Sequence, residues 1–407
     1  MQMMQMHSVR DPGLATLDDQ LSREVFGILG IPIDGLGLSA VLQLLHAAIE
    51  ARRPFLLSTP NVNFLIASLS DRLFHDTLLA SDLCPVDGMP IVWIARLLGV
   101  RLRDRVSGAD IFSALKYEKP VGSRRTIFLF GGPNETATQV GEMLNAESLG
   151  LKCVDAFNPG FGSVDEISRS EIVDRINASR ADILAVFLNA KKAQDWLFKN
   201  HDRLDPPVRA QFGATINFEV GAVRRAPGRL QRLGLEWLWR IREEPYLWRR
   251  YWADGLRLLR LVFTRVLPFV LNTWWLKLRA STDARLTTLI VDEAEATRVC
   301  LLGSATKEHV VEAVLSFRQA LDRGKPLKVD MRDTETIDPR FLGLLLMVRK
   351  ELRDRDHELS VVGTPPAIRR AFRLNGFDFL LFQEDHCPSS ILTRIGPFVE
   401  ERQTHAA

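Results

Sequence analysis

The chain has 407 residues, 46% hydrophobic and 25% charged. This excludes a small disulfide-stapled module, a disordered chain and a polytopic membrane protein, and at roughly 150 residues per domain it leaves room for two or three cores. The formal charge is only +3, so the chain as a whole is no general polyanion binder.

The first residues, MQMMQMHSVRDPG, lack the charged-then-apolar layout of a secretory signal. Residues 1–25 therefore read as a flexible N-terminus, and the chain is expected in the cytosol. The cysteines at 84, 153, 300 and 387 are widely separated, which offers neither a zinc framework nor a disulfide ladder and points to a reducing compartment. From 26 to 222, short apolar runs alternate with helical-period segments. That is the signature of a Rossmann-like α/β fold, a mostly parallel sheet with helices on both faces. Strands are expected at 54–58 (PFLLS), 83–86 (LCPV), 126–131 (TIFLFG), 152–157 (KCVDAF), 182–188 (DILAVFL) and 208–213 (VRAQFG).

Ligands of such sheets bind outside the carboxyl ends of the strands, so three post-strand loops are where chemistry belongs. After 54–58 comes Thr59-Pro60-Asn61-Val62-Asn63, whose polar residues fit a helix N-cap and equally a ligand contact. After 83–86 comes Asp87-Gly88-Met89-Pro90; a carboxylate beside a glycine, with proline in the first helical turn, fits a general base aimed into a cleft, or again a cap. Gly131-Gly132-Pro133-Asn134 is a glycine turn opening a helix, where backbone N–H groups could receive a phosphate. It lacks GxGxxG and the P-loop lysine.

Residues 223–283 form a helical basic appendage. Between Val223 and Arg279 there are 13 Lys and Arg against four acids, together with six of the eight tryptophans. Arg250, Arg257 and Arg260 share one helix face, and Leu256, Leu259, Val262, Phe263, Val266 and Leu267 are expected on the other. That describes a helix lying on a membrane surface, with a packed helix bearing a solvated arginine face as the alternative. The longest uncharged apolar run, Val266 to Leu276, is too short to cross a bilayer. No helix-turn-helix, zinc or RNP-like pattern is present, so no nucleic-acid partner is expected. From 284 to 400 the pattern changes to a smaller α+β module, with strands TTLIV, RVCLLG, PLKVDM and ELSVVG and helices at 307–321, 339–354 and 365–374. The linker is placed around Asp283.

Residues 26–252 resemble the WecG/TagA/CpsF family of bacterial glycosyltransferases through STPNVNFL (58–65), VDGMPIVWIARLLG (86–99), RVSGADIF (105–112), IFLFGG (127–132), RRAP (224–227), GLEWLWRIREEP (234–245) and RRY (249–251). The resemblance implies a UDP-sugar donor, Asp87 as base and Thr59 beside it. Substrate contacts are then expected at Asn61, Asn63, Gly88, Arg105, Gly108, Asp110, Gly131, Gly132 and Gln194. Where many members carry a G-x-P-K-Q-E-like stretch, this chain has Leu188-Asn189-Ala190-Lys191-Lys192-Ala193-Gln194-Asp195, and Asn217 stands where Asp is common; both bear on sugar specificity rather than on the reaction. The C-terminal module resembles a STAS domain through its element order and IDPRFLGLLL (337–346). Asp338 is followed by Pro339 and Arg340 instead of the serine that is often phosphorylated there.

Sugar transfer needs a base for the acceptor hydroxyl and positive charge where the diphosphate leaves. The expectation is direct, inverting attack with Asp87 as base, Thr59 and Asn61 orienting substrate, and the UDP diphosphate held by glycine-loop amides and by Arg225, Arg240 and Arg250. With no DxD-like pair in a suitable loop, no metal is expected. By resemblance, the acceptor is a saccharide on a polyprenyl diphosphate, the product is a bacterial exopolysaccharide or surface polysaccharide, and the enzyme sits peripherally on the inner face of the cytoplasmic membrane. The alternative is a catalytically weak, membrane-docked scaffold that recruits protein partners through its STAS-like domain.

Overall fold

A parallel five-stranded sheet carries the N-terminal half. Its strands, in the order in which they lie side by side, are β3 (Phe55–Leu57), β7 (Val208–Gln211), β6 (Ile183–Phe187), β4 (Arg125–Gly131) and β5 (Leu151–Phe157). The computed structural model describes residue 17 and residues 19–120, 122–279 and 285–381. The rest of the N-terminal segment, the linker around Asp283, Cys387 and the module's end beyond 381 lie outside the described residues.

Because side chains alternate across a strand, each strand feeds two cores. Ile127, Leu129, Ile183 and Ala185 face helices Leu38–Glu50, Gly108–Tyr117 and Thr136–Glu147. Phe128, Phe130, Leu184 and Val186 face helices Ser170–Ala178 and Ala190–Lys199. Every crossover returns the chain to the same end, so the loops after β3, β4, β6 and β7 all open on one rim. The expected strand at 83–86 is a correction: it forms only isolated bridges, Leu57 with Leu83 and Asp34 with Pro85. It is too short and too tightly held at both sides to build a ladder of its own.

The sequence pattern did not announce a hairpin, β1 (Val25–Ile28) and β2 (Ile31–Asp34), paired antiparallel. Its two-residue turn places Leu29 and Gly30 at φ +49° and +92°, the geometry of a turn that normally carries Asn-Gly. A leucine there costs conformational energy, and the side chain is buried, so packing holds what local preference would not.

That packing comes from the C-terminal module. Strands β8 (Thr287–Asp292), β9 (Thr297–Ala305), β10 (Leu327–Asp330), β11 (Thr334–Ile337) and β12 (Leu359–Val362) form its mixed sheet, in which β9 pairs parallel with β10 and β11 and antiparallel with β8. Helices Val310–Leu321, Pro339–Arg353 and Pro366–Leu374 complete it. The hairpin lies across Pro339–Arg353. A Cβ on Gly343 would sit 2.1 Å from the Val25 carbonyl oxygen, Arg340 donates to that oxygen at 3.2 Å, and Asn375 accepts from the Leu29 amide and donates to the Gly27 carbonyl, both at 2.8 Å. One continuous core joins Val25, Ile28 and Ile31 to Phe64, Phe74 and Ile91 of the N-terminal half and to Phe317, Phe341 and Phe372 of the C-terminal module.

Gly343→Ala should therefore be destabilising by about 3 kcal/mol, since the new methyl meets backbone rather than a movable side chain. Thermal unfolding of the full chain, followed with a probe in each half, should show both halves losing stability together.

Candidate active site

Backbone hydrogen bonds bring the first two candidate loops together. The Asp87 amide donates to the Pro60 carbonyl at 2.9 Å and the Val106 amide to the Val86 carbonyl at 3.0 Å, so Val86 and Asp87 run between the Thr59-Pro60 loop and the segment entering helix Gly108–Tyr117. Gly88 has φ +106°, a region open to glycine, and this lets the chain turn from Asp87 into helix Met89–Leu97 with Pro90 in its first turn. Thr59 is buried, its Oγ1 lying 3.6 Å from where a Cβ on Gly108 would be. Asn61 caps helix Val62–Ser70 by accepting from the Phe64 amide at 3.2 Å, and Asn63 is half-buried in that helix's first turn.

Asp87 is half-buried among charged groups. Burial pushes its carboxyl up to about 7; Arg105 and Arg240 pull it down, while Glu236 and Asp110 push it further up. These groups form a linked cluster. Arg105 donates to Glu236 at 2.5 Å, to Gln231 at 3.2 Å and to Asp110 at 3.4 Å. Arg225 pairs with Asp110, and Arg240 with Glu244 at 3.1 Å. Burial works against the charge on Asp110, but hydrogen bonds from Ser107 and Arg225 hold its carboxyl below the usual range. Ser107 and Asp110 also form a reciprocal capping box. Arg225 and Arg240 each have an Nε that is shielded from solvent. A cleft of about 480 Å³ opens beside the cluster, lined by Arg105, Asp110, Tyr117 and Arg225 among others. Asp87 does not line it; Arg105 and Asp110 connect the two.

Other expected contacts fall elsewhere. Gln194 is a correction: it is fully buried and exchanges hydrogen bonds with Ser58 at 2.9 and 3.1 Å, with Ser81 also bound to Ser58 at 2.7 Å. It braces the strand that delivers Thr59 and cannot reach a substrate. The Gly132 amide already donates to the Phe187 carbonyl at 3.0 Å, which withdraws it as a phosphate donor. Gly131 and Gly132, at φ +91° and +96°, instead let the turn pack on Leu188 and Ile216. Arg250 is exposed, its guanidinium 5.4 Å from the Tyr251 ring. Glu236 escaped notice in the sequence; the signal was a lone acid inside the GLEWLWRI motif of a strongly basic stretch. In the divergent 188–195 stretch, Asn189 caps helix Ala190–Lys199 and Lys191 bridges Asp71 and Asp195 at 2.6 and 2.9 Å.

The basic segment reaches the cleft because Gly234 lies against the Asp87 helix. A Cβ there would be 2.7 Å from Trp93 and 2.8 Å from Met89. Beyond it, helix Trp248–Leu261, a π turn at Val262–Val266 and helix Leu267–Arg279 run on as one rod. The expected single apolar face divides in two. Val266 and Phe269 are buried, with Leu258, Val262 and Val270 packed on the shared core, while Trp248, Trp252, Leu256, Leu259, Phe263, Leu271, Trp274, Trp275 and Leu278 are exposed. Arg249, Arg250, Arg257 and Arg260 are exposed on the same rod. No described helix is long and apolar enough to cross a membrane.

The profile of the glycosyl transferase WecG/TagA/CpsF family matches residues 26–269, more than half of the chain. The chain belongs to the WecG/TagA/CpsF family. A second profile, Mlab, STAS domain, matches residues 290–382. Among curated relatives, the chain is similar to N-acetylglucosaminyldiphosphoundecaprenol N-acetyl-beta-D-mannosaminyltransferase of Bacillus subtilis (strain 168), 25% identical over 224 residues that cover 55% of this chain and 85% of the relative. It is 23% identical over 218 residues to the enzyme of the same name from Bacillus spizizenii (strain ATCC 23059 / NRRL B-14472 / W23), covering 54% and 82%. The protein is thus a WecG/TagA/CpsF glycosyltransferase whose family segment includes the Asp87 loop, the arginine cluster and much of the rod, with a STAS domain following.

In this WecG/TagA/CpsF member the Asp87 carboxyl should titrate near 7 by carbon NMR of aspartate-labelled protein. Glu236→Gln removes a negative neighbour and should move the midpoint to lower pH. Arg105→Gln removes the opposing positive charge and should move it to higher pH.

Proposed function

We propose that the enzyme transfers a sugar from a UDP-sugar to a saccharide carried on a polyprenyl diphosphate, by direct displacement with inversion, and that Asp87 is the general base. The observation that carries this reading is the place of Asp87 on a strand-end loop, tied to the Thr59-Pro60 loop and set in the field of the Arg105, Glu236 and Asp110 cluster, where burial pushes its carboxyl up to about 7. A base works best when its pKa lies near the operating pH, being ionised often enough to act and basic enough to accept a proton. As the acceptor oxygen attacks the anomeric carbon, its proton passes to Asp87 and the bond to the UDP oxygen breaks. Charge on the departing diphosphate is met by the guanidinium groups of Arg225, which lines the cleft, and of Arg105 and Arg240, which act on Asp87 through their charge. Thr59 and Asn61 border the acceptor side. In this reading the arrangement supplies the positive charge without a metal ion. The acceptor class is supported by the relatives, whose name specifies an N-acetylglucosaminyl-diphosphoundecaprenol acceptor and transfer of N-acetylmannosamine.

A polyprenyl-linked acceptor is confined to a membrane, so the enzyme must come to it. The exposed Trp and Leu stripe on the 248–279 rod, with exposed arginines alongside, fits a helix lying in the headgroup layer of an anionic bilayer. It would hold the cleft at the cytoplasmic surface without spanning it.

Asp87→Asn should lower kcat by about 10²–10⁴-fold in a coupled assay for UDP release with a matched donor and acceptor, and EDTA should leave the wild-type rate unchanged. Replacing Leu256, Leu259 and Phe263 together with glutamate should release the protein from phosphatidylglycerol vesicles in a sedimentation assay. The same variant should keep its rate on a short-chain, water-soluble acceptor. Loss of that rate as well would show that the stripe serves folding instead.

A further inference from the structure

The segment leading to Asp87 is held at its start by a residue of the other domain. Lys350, on helix Pro339–Arg353, is 5% exposed and donates to Asp82 at 2.6 Å and to the Ala80 carbonyl at 3.1 Å. The second carboxylate oxygen of Asp82 accepts from the Leu56 amide of β3 at 2.7 Å, and the Asp82 amide returns a bond to the Leu56 carbonyl at 2.8 Å. From that clamp the register runs on without a gap. Ser58 donates to the Leu83 carbonyl at 3.0 Å, and Asp87 to the Pro60 carbonyl at 2.9 Å. A slip at Asp82 would therefore move Thr59 against Asp87, the two residues that the loops bring together.

A second contact holds the same segment from its other side. Asp34, at the end of the hairpin, accepts from the Cys84 amide at 2.6 Å and donates its own amide to the Cys84 carbonyl at 2.9 Å. Its carboxylate is also paired with buried Arg23 at 2.7 Å. The hairpin itself is fixed by Arg340, Gly343 and Asn375 of the C-terminal domain. Residues 82–87 are thus gripped twice by the C-terminal domain, once directly through Lys350 and once through the hairpin.

We propose that the STAS domain is a fixed half of the catalytic unit, neither tether nor detachable regulator, and that Lys350 is a positioning residue that sets the register of the Asp87 segment. The part concerning catalysis rests on the reading of Asp87 given above; the part concerning register does not. Buried ion pairs leave a stranded charge when one partner is removed, so the clamp should loosen locally before the domain unfolds.

The test uses the full chain with Lys350→Met, Lys350→Arg and Asp82→Asn, and reads amide hydrogen exchange in peptides covering 54–61 and 82–88 together with kcat and donor KM. Lys350→Met should speed exchange in both peptides by about tenfold or more and lower kcat by a similar factor at unchanged donor KM, and Lys350→Arg should recover most of both. Unaltered exchange in 82–88 in Lys350→Met would overturn the proposal, as would a kcat within twofold of wild type. If Lys350→Met does not fold, Asp82→Asn, which can still accept from Leu56 but loses the ion pair, decides by the same readings. Faster exchange in a chain whose wild type transfers no sugar would support the clamp and count against the transferase reading instead.

Discussion

The site depends on a carboxylate taken partly out of water without a partner of its own. Asp87 makes no direct ion pair among the described residues; its strongest positive influence, Arg105, is already committed to Glu236. A directly paired aspartate would be held low and would be a poor base, and an isolated one in the same place would stay protonated. Three arginines and four acids make up the linked cluster, counting Arg105, Arg225 and Arg240 against Asp87, Asp110, Glu236 and Glu244. Asp110, Glu236 and Glu244 hold the guanidinium groups of Arg105, Arg225 and Arg240 in place, so the arrangement is organised by the protein's own ion pairs.

What the sequence made legible was whatever is encoded locally. Short apolar runs marked β4, β5, β6 and β7 to within a residue or two: β4 and β6 are interior strands buried on both faces, while the edge strand β5 alternates buried and exposed residues in its first half. The TPN and DG loops stood out because proline, glycine and a carboxylate have few reasons to meet at a strand end. The STAS domain's element order was readable apart from β11, whose TETI looks polar although Thr334, Thr336 and Ile337 are buried.

What remained hidden depends on distant parts of the chain. The Leu29-Gly30 turn conceals its hairpin because the usual Asn has been replaced by a leucine that is stable there only under Asn375 and its neighbours. Gln194 carries the chemistry of a ligand contact, and only coordinates show that Ser58 uses up its amide. Val262 and Val266 belong by helical period to the same face as Leu259 and Phe263. The π turn between them widens the helix and changes the phase, so that the core takes one set while the other stays outside. Lys350 and Asp82 are 268 positions apart, and no period in a sequence spans that distance.

Such long-range dependence explains why the two domains share a core instead of meeting across a polar, separable interface. The catalytic sheet's edge strand β3 is only three residues long, and the next segment, 83–86, joins it by a single bridge. A short edge of this kind is poorly registered by its own ladder. An edge that must present Thr59 and Asp87 at fixed separation therefore needs support from outside the sheet. The β1–β2 hairpin provides it on one side, but an isolated two-stranded hairpin is marginal in water and this one contains a strained leucine. The C-terminal domain supplies the missing surface through the Gly343 groove, and the rod of 248–279 is wedged into the same core at Val266 and Phe269. The helix that presents the exposed apolar stripe and the loop that presents the Asp87 carboxylate are consequently referenced to one shared core, which fixes the distance between them.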